Sequence, residues 1–230
     1  MSFLPYESRY KAGEILAHYL KNYYSIEVNN LNSIIFAIPN GGVSVAEGFC
    51  NTLDINYLLV IVRKIKIPYN PEAGFGAIAT DGTILLNKQL LSSIKLDSKA
   101  IEKSIEITKA EIRDRMDFYN ISKKQEKLYN INIPGKNVFI MDDGLASGFT
   151  MQAGIKMVQK YRPKNLFIII PTAPFHTIEN IEKDVNINEV ICPNVRKTNW
   201  FAVADAYEHW YDVQDSEVLN IIKKSKHYLG

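Results

Sequence analysis

Unbroken apolar runs of strand length alternate along this chain with longer stretches in which apolar residues recur at helical spacing. Residues 7–24 read as an amphipathic helix, with Ala12, Ile15, Leu16, Tyr19 and Leu20 on one face and His18 as a structural residue. Residues 33–38 are the first apolar run, which passes through Pro39-Asn40-Gly41-Gly42 into a helix opened by Val43, Val45, Ala46 and Phe49. Residues 57–62 predict a second buried strand, ending on Arg63-Lys64. Residues 65–73 contain Pro68, Asn70 and Pro71, follow neither period, and predict a loop. A turn at residues 80–83 then leads into Ile84-Leu85-Leu86, so residues 74–86 read as a hairpin. A long helix follows, capped by Asp97 or Ser98, with Ile101, Ile105, Ile112, Met116 and Tyr119 on its stripe. Glu111 and Arg115 are spaced for a supporting surface pair on it. The polar residues 122–128 are expected to fray before Pro134-Gly135.

Val138-Phe139-Ile140-Met141 is the next buried run, and Met151, Ile155 and Val158 restore the helical period after it. Arg162-Pro163 stops that helix, residues 166–170 make another core strand, and residues 171–174 a loop. Ile178 and Ile181 mark a short helix, residues 189–192 a last short strand, and Asp215 is expected to cap a final helix carrying Val218, Ile221 and Ile222. Short strands buried on both faces, alternating with helices, predict an α/β fold. Its central sheet should be mostly parallel, with helices on both faces and right-handed crossovers.

At 230 residues the chain suits one domain spanning residues 1–230. Its 47% hydrophobic and 23% charged content is that of a globular protein. A net charge of +2, with basic residues scattered among acidic ones, gives no electrostatic footprint for nucleic acid. Cys50 and Cys192 end or follow apolar runs without metal-ligand spacing and read as buried reduced thiols. No apolar stretch reaches membrane-spanning length, and the amino end turns polar almost at once, so a cytoplasmic protein without a membrane partner is expected.

Chemistry concentrates after residue 141. Two adjacent carboxylates, Asp142 and Asp143, close the buried strand, and Gly144 and Gly148 bracket a turn carrying Ser147 ahead of Thr150. A strand, a small-residue turn and a helix N-terminus make an anion cradle, where backbone N–H groups and the helix dipole favour negative charge. Carboxylates beside such a cradle repel a phosphate, so they suit a diol, or a diol with a metal ion, on the same ligand. Gly41-Gly42 forms a second strand–glycine–helix unit that permits close backbone approach. The run Gly74-Phe75-Gly76-Ala77-Ile78-Ala79 matches a dinucleotide fingerprint, but its hairpin context lacks the required strand before and helix after, and the match is rejected.

At these residues the chain resembles the type I phosphoribosyltransferases. Four apolar residues, two acidic ones and a small-residue turn ending Ser147-Gly148-Phe149-Thr150 are similar to that family's motif for phosphoribosyl diphosphate (PRPP). The resemblance implies a Rossmann-like core at about residues 28–192, with residues 1–27 and 193–230 forming a hood over it. It implies that Asp142 and Asp143 hold the ribose hydroxyls and stabilise charge on the sugar. Ala146, Ser147, Gly148, Phe149 and Thr150 would hold the 5′-phosphate. Pro39, Asn40, Gly41 and Gly42 would bind the pyrophosphate, with a cis peptide at Pro39–Asn40. Arg63, Lys64 and Lys66 are further implied pyrophosphate contacts on a segment that closes over the site, and Glu72 matches a loop glutamate proposed as general acid. In the hood, an aromatic ring such as Trp200 or Phe201 would stack on the acceptor. The order Arg63-Lys64, Asn70-Pro71-Glu72 and an aromatic tail resembles one uncharacterised branch of predicted phosphoribosyltransferases.

The activity implied is Mg²⁺-dependent transfer of phosphoribosyl from PRPP to a small nitrogen acceptor, in a homodimer, with Mg²⁺ held mainly by PRPP and water. A PRPP-sensing regulatory protein and a PRPP hydrolase are the alternatives. Two positions depart from the family: Asn40 stands where relatives usually carry Arg or Lys, and Ala146 where the hypoxanthine–guanine type carries an aspartate. The second departure argues against a 6-oxopurine acceptor of that type.

Overall fold

A computed structural model describes residues 4–121, 124–183, 187–198 and 200–230. Its first helix, α1 (Arg9–Tyr23), is followed by β1 (Ser33–Ala37), α2 (Gly41–Leu53) and β2 (Tyr57–Leu59). An antiparallel unit comes next: β3 (Val62–Ile67), β4 (Asn70–Ala79) and β5 (Ile84–Leu86). Helices α3 (Lys88–Ser93), α4 (Ser98–Phe118) and α5 (Lys124–Asn132) lead to β6 (Asn137–Met141) and α6 (Phe149–Gln159). The chain then runs through β7 (Asn165–Ile169), β8 (Thr172–Pro174), α7 (Phe175–Glu182), β9 (Glu189–Ile191) and β10 (Asn194–Arg196) to α8 (Asp215–Lys224).

The central sheet has the order β2-β1-β6-β7-β9, and every neighbouring pair in it is parallel. Alternation along each strand divides the core. Ile35, Ala37, Phe139 and Met141 face α1, α2 and α4, whereas Ile34, Phe36, Val138 and Ile140 face α5 and α6. Both sides of these strands are buried, which is why they read as unbroken apolar runs. The stacked rings of Phe139 and Phe167, 4.9 Å apart, bridge β6 and β7. Cys50 and Cys192 are free and buried, and burial raises the Cys192 thiol to about 12.

Several sequence expectations need correction. The apolar run at residues 57–62 is not one strand: β2 ends at Leu59, and Arg63 and Lys64 lie on β3 in a separate three-stranded sheet. The cations therefore do not close a central strand. Residues 65–73 are not a loop either, since they form the closed end of an antiparallel hairpin with register shifts around Lys66. Those irregularities, together with Pro68 and Pro71, mask the alternation. The segment expected to fray is α5 from Lys124 onward, because the buried Gln125 amide and Tyr129 hydroxyl both donate to the Leu59 carbonyl, at 3.1 and 2.7 Å. Residues 122 and 123 lie outside the described residues. Residues 172–174 form β8, paired with β10. On α1, Ile15 is exposed and the true buried stripe is Arg9, Ala12, Gly13, Leu16, Ala17 and Leu20.

Candidate active site

Register places the site. Ala37 pairs with Met141 across adjacent parallel strands, so the loops leaving β1 and β6 emerge side by side at the sheet's carboxyl edge. A Cβ on Gly41 would sit 1.9 Å from Asp143 Oδ2, and one on Gly42 would sit 2.9 Å from the Asp142 Cα. The two glycines are there because the acid pair lies directly against this loop. The Pro39–Asn40 peptide is cis. Gly41→Ala is expected to push the Asp143 carboxylate off its partner and lower thermal stability; an unchanged unfolding temperature would show that the loop can yield.

Asp143 is held from the hood. Its Oδ2 accepts from Arg9 Nε at 2.8 Å, and its carbonyl accepts from the Tyr207 hydroxyl at 2.6 Å. Arg9 is itself buried, donates from Nη1 to the Tyr211 carbonyl at 3.0 Å, and lies 4.0 Å from the Trp210 ring centroid. Much of the aromatic tail is thus wrapped round one guanidinium.

Asp142 has a different environment. Its Oδ1 accepts from the Asp143 backbone N–H at 2.8 Å. Burial, and then the neighbouring Asp143 carboxylate, push its pKa well above the usual carboxylate range. A carboxyl that binds its proton more tightly in the folded state is neutral at low pH. It becomes a burden on the fold as pH rises from the unfolded value of about 3.9 through the folded one. Asp142→Asn should therefore raise the unfolding temperature of the ligand-free protein at pH 8 and change it little at pH 4. Equal effects at both pH values would contradict this origin.

The turn after the pair ends on Gly148, whose φ of +73° is left-handed and opens α6. Leu145 N–H donates to the Thr172 carbonyl at 3.0 Å and Thr177 Oγ1 to the Ala146 carbonyl at 2.7 Å, fixing the turn while Ala146 and Ser147 face solvent. Phe149 and Thr150 form the first positions of α6, half-buried beneath the turn.

On the other side of Asn40 lies a cavity of about 550 Å³, lined by Arg63, Lys64, Lys66, Glu111, Asp114, Arg115, Phe118 and Asp215. Arg115 Nη1 donates to Asn40 Oδ1 at 2.9 Å and its Nη2 meets Asp215 Oδ1 at 2.7 Å. Arg115 is not the surface partner of Glu111, which instead takes Lys66 at 3.4 Å. Asp215 is likewise not a cap, since α8 has Gln214 in that position and the Asp215 carboxylate is spent on Arg115, Tyr119 and Asn40. Lys64 Nζ donates to the Glu72 carbonyl, while the Glu72 side chain lies exposed near the hairpin end. Trp200 is 91% exposed and Phe201 half-buried.

The structure thus gathers Asn40, Gly41 and Gly42 with Asp142 and Asp143, and sets Arg63, Lys64 and Lys66 on the wall beyond Asn40. It leaves Glu72 and Trp200 at the surface. Sequence reasoning missed Arg9, Arg115 and Tyr207. A signal existed for the two arginines: Arg9 precedes Ala12 and Gly13 at three and four residues, and Arg115 continues the buried Thr108 and Ile112 positions. A cation on the buried stripe of a helix calls for a buried partner.

Among the described residues, no group of three or more His, Cys, Asp or Glu is placed to hold a metal ion, and no helix is long and apolar enough to cross a membrane. The phosphoribosyl transferase domain model matches residues 7–209. A protein of Mycobacterium tuberculosis H37Rv named "Putative phosphoribosyl transferase Rv0571c" is 24% identical over 220 residues. That match covers 96% of this chain but only 47% of the relative, so the chain spans about half the length of the curated relatives it matches. The crystal structure of TT1426 from Thermus thermophilus superposes with a TM-score of 0.74 at 26% identity, over 95% of this chain and 97% of that one. The expected α/β architecture with a mostly parallel sheet stands, and the chain belongs to the phosphoribosyl transferase domain family.

Proposed function

We propose that this protein transfers the 5-phosphoribosyl group of PRPP to a nitrogen acceptor, a nucleobase, with release of pyrophosphate. The observation that carries the reading is the acid pair packed against the Gly41-Gly42 loop, one strand away from it, with the Ser147 turn opening α6 beside it. Ribose hydroxyls would donate to Asp142 and Asp143. The 5′-phosphate would take N–H groups of residues 146–150, and the pyrophosphate would lie over residues 39–42 towards Arg63. The acceptor nitrogen would bond to C1 as the C1–O bond to pyrophosphate breaks, and the carboxylates would offset positive charge developing on the sugar.

Mg²⁺ keeps waters and takes substrate phosphates, so it would be held mainly by PRPP and water, with the acid pair beside the ribose. When bound, the ion would neutralise charge on the leaving pyrophosphate. Ala146 leaves no carboxylate at that turn position for a 6-oxopurine.

The test supplies PRPP and Mg²⁺ with a panel of bases and amines and follows pyrophosphate release. Release dependent on one acceptor supports transfer. Release without any acceptor shows hydrolysis, and tight PRPP binding with no release shows a sensor; either result overturns the proposal.

A further inference from the structure

We propose that Arg115, delivered from α4, is the cation that binds the pyrophosphate beside Asn40, and that Asp215 of α8 is its resting counter-ion, displaced when the pyrophosphate arrives. This rests on the reading that pyrophosphate occupies the loop at residues 39–42.

Asn40 carries no charge, yet its side chain is the hub of a charged network. Its Oδ1 accepts from Arg115 Nη1 at 2.9 Å, and its Nδ2 donates to Asp215 Oδ1 at 3.0 Å and to the Val213 carbonyl at 2.6 Å. The loop therefore does not supply the positive charge at this end; it positions a guanidinium that another element supplies. The next residue, Gly41, already touches Asp143, so Arg115 stands one residue along the same loop from the acid pair.

The two partners of the ion pair differ in a way that suits exchange. The Arg115 side chain is 11% exposed, fixed at Nη1 and Nη2, while the Asp215 side chain is 38% exposed. Asp215 Oδ1 also accepts from the Tyr119 hydroxyl at 2.8 Å. Burial opposes its ionisation, but the Tyr119 hydrogen bond and the Arg115 charge outweigh that and hold the carboxyl below its ordinary value. Asp215 is thus an anion at neutral pH, seated where a more highly charged anion can replace it.

The wall around the pair carries more cations than anions: Arg63, Lys64, Lys66 and Arg115 against Glu111, Asp114 and Asp215. Arg63 shares the cavity with Arg115, and its buried Nε finds no hydrogen-bond partner among the described residues. Burial, and then the Arg115 charge, lower the Arg63 pKa even though Asp215 and Glu111 pull it the other way, so the two guanidiniums still repel across this space. A diphosphate has oxygens enough for both, and guanidinium geometry matches phosphate. Helix α8 follows the aromatic tail, so displacement of Asp215 would couple leaving-group binding to the hood.

Inorganic pyrophosphate with Mg²⁺, titrated calorimetrically into the full chain, reads the proposal directly. Arg115→Gln should weaken binding about 30-fold and Arg115→Lys less, whereas Asp215→Asn should strengthen it severalfold. The opposite signs are the discriminating result. A purely structural ion pair loses the same contact in either variant, so both would then weaken binding alike, in step with their unfolding temperatures. Parallel losses, no change in either variant, or no pyrophosphate binding by the unaltered protein overturns the proposal. The acceptor panel reads the transfer reaction independently: transfer with unaltered pyrophosphate affinity in Arg115→Gln sinks only the role of Arg115. Pyrophosphate binding through Arg115 without transfer sinks only the transferase reading.

Discussion

Replacing Asp142 and Asp143 together by asparagine is expected to weaken PRPP binding by at least about 100-fold. A ribose hydroxyl donating to a carboxylate makes a charge-assisted bond, and such bonds contribute about 1.5–3 kcal/mol each. Two at the low end already amount to two factors of ten. Asparagine keeps the volume, and its Oδ1 can still accept from the residue 143 N–H, so the local turn survives. The effects on the fold oppose each other: Asp142→Asn removes a carboxyl that burial disfavours, and Asp143→Asn leaves Arg9 without its counter-ion. The double variant is therefore the fairest probe of binding, with its unfolding temperature recorded alongside calorimetric titration of PRPP and Mg²⁺. PRPP bound as tightly as by the unaltered protein would end the assignment of the ribose to these residues.

What can be read in the sequence is local, and what cannot is assembled across long separations. Residues 138–151 carry strand, acid pair, turn and helix start in one contiguous run, so each short-range rule applies to it directly. The same holds for residues 33–46. Arg9 and Asp143 are 134 positions apart, and Asn40 and Asp215 are 175 apart; no period or spacing rule links them. The hairpin at residues 62–79 is hidden for another reason. It is antiparallel and irregular, and its burial alternates only along β3, where Ile65 and Ile67 point inward between exposed lysines. Arg115 misleads because its spacing to Glu111 satisfies the surface-pair rule while tertiary packing gives it a better partner in Asp215. The aromatic tail reads in the sequence as a platform for a flat acceptor. In the structure three rings of that tail other than Trp200 and Phe201, those of Trp210, Tyr207 and Tyr211, surround the Arg9 guanidinium, at 4.0, 5.7 and 5.6 Å from their centroids.

That last arrangement makes Arg9 a residue whose loss should cost the fold heavily. Its side chain is 6% exposed and its partner Asp143 15%, so neither charge can recover its hydration when the other is removed. Arg9→Ala leaves Asp143 beside Asp142 with no cation, strips the Tyr211 carbonyl of its donor and empties the face of Trp210. Breaking one side of a buried pair costs about 3–5 kcal/mol, which for a chain of this size lowers the unfolding temperature on the order of 10 °C. PRPP affinity should fall with it, since the carboxylate loses the contact that aims it. The origin is separable by a cycle. Arg9→Met with Asp143→Asn removes both charges, and if the penalty comes from an uncompensated buried carboxylate, the pair should regain a good part of the stability lost by Arg9→Ala. Additive losses in the double variant would place the cost in packing against Trp210 instead, and an unfolding temperature unchanged in Arg9→Ala would show that the hood is not tied to the acid pair at all.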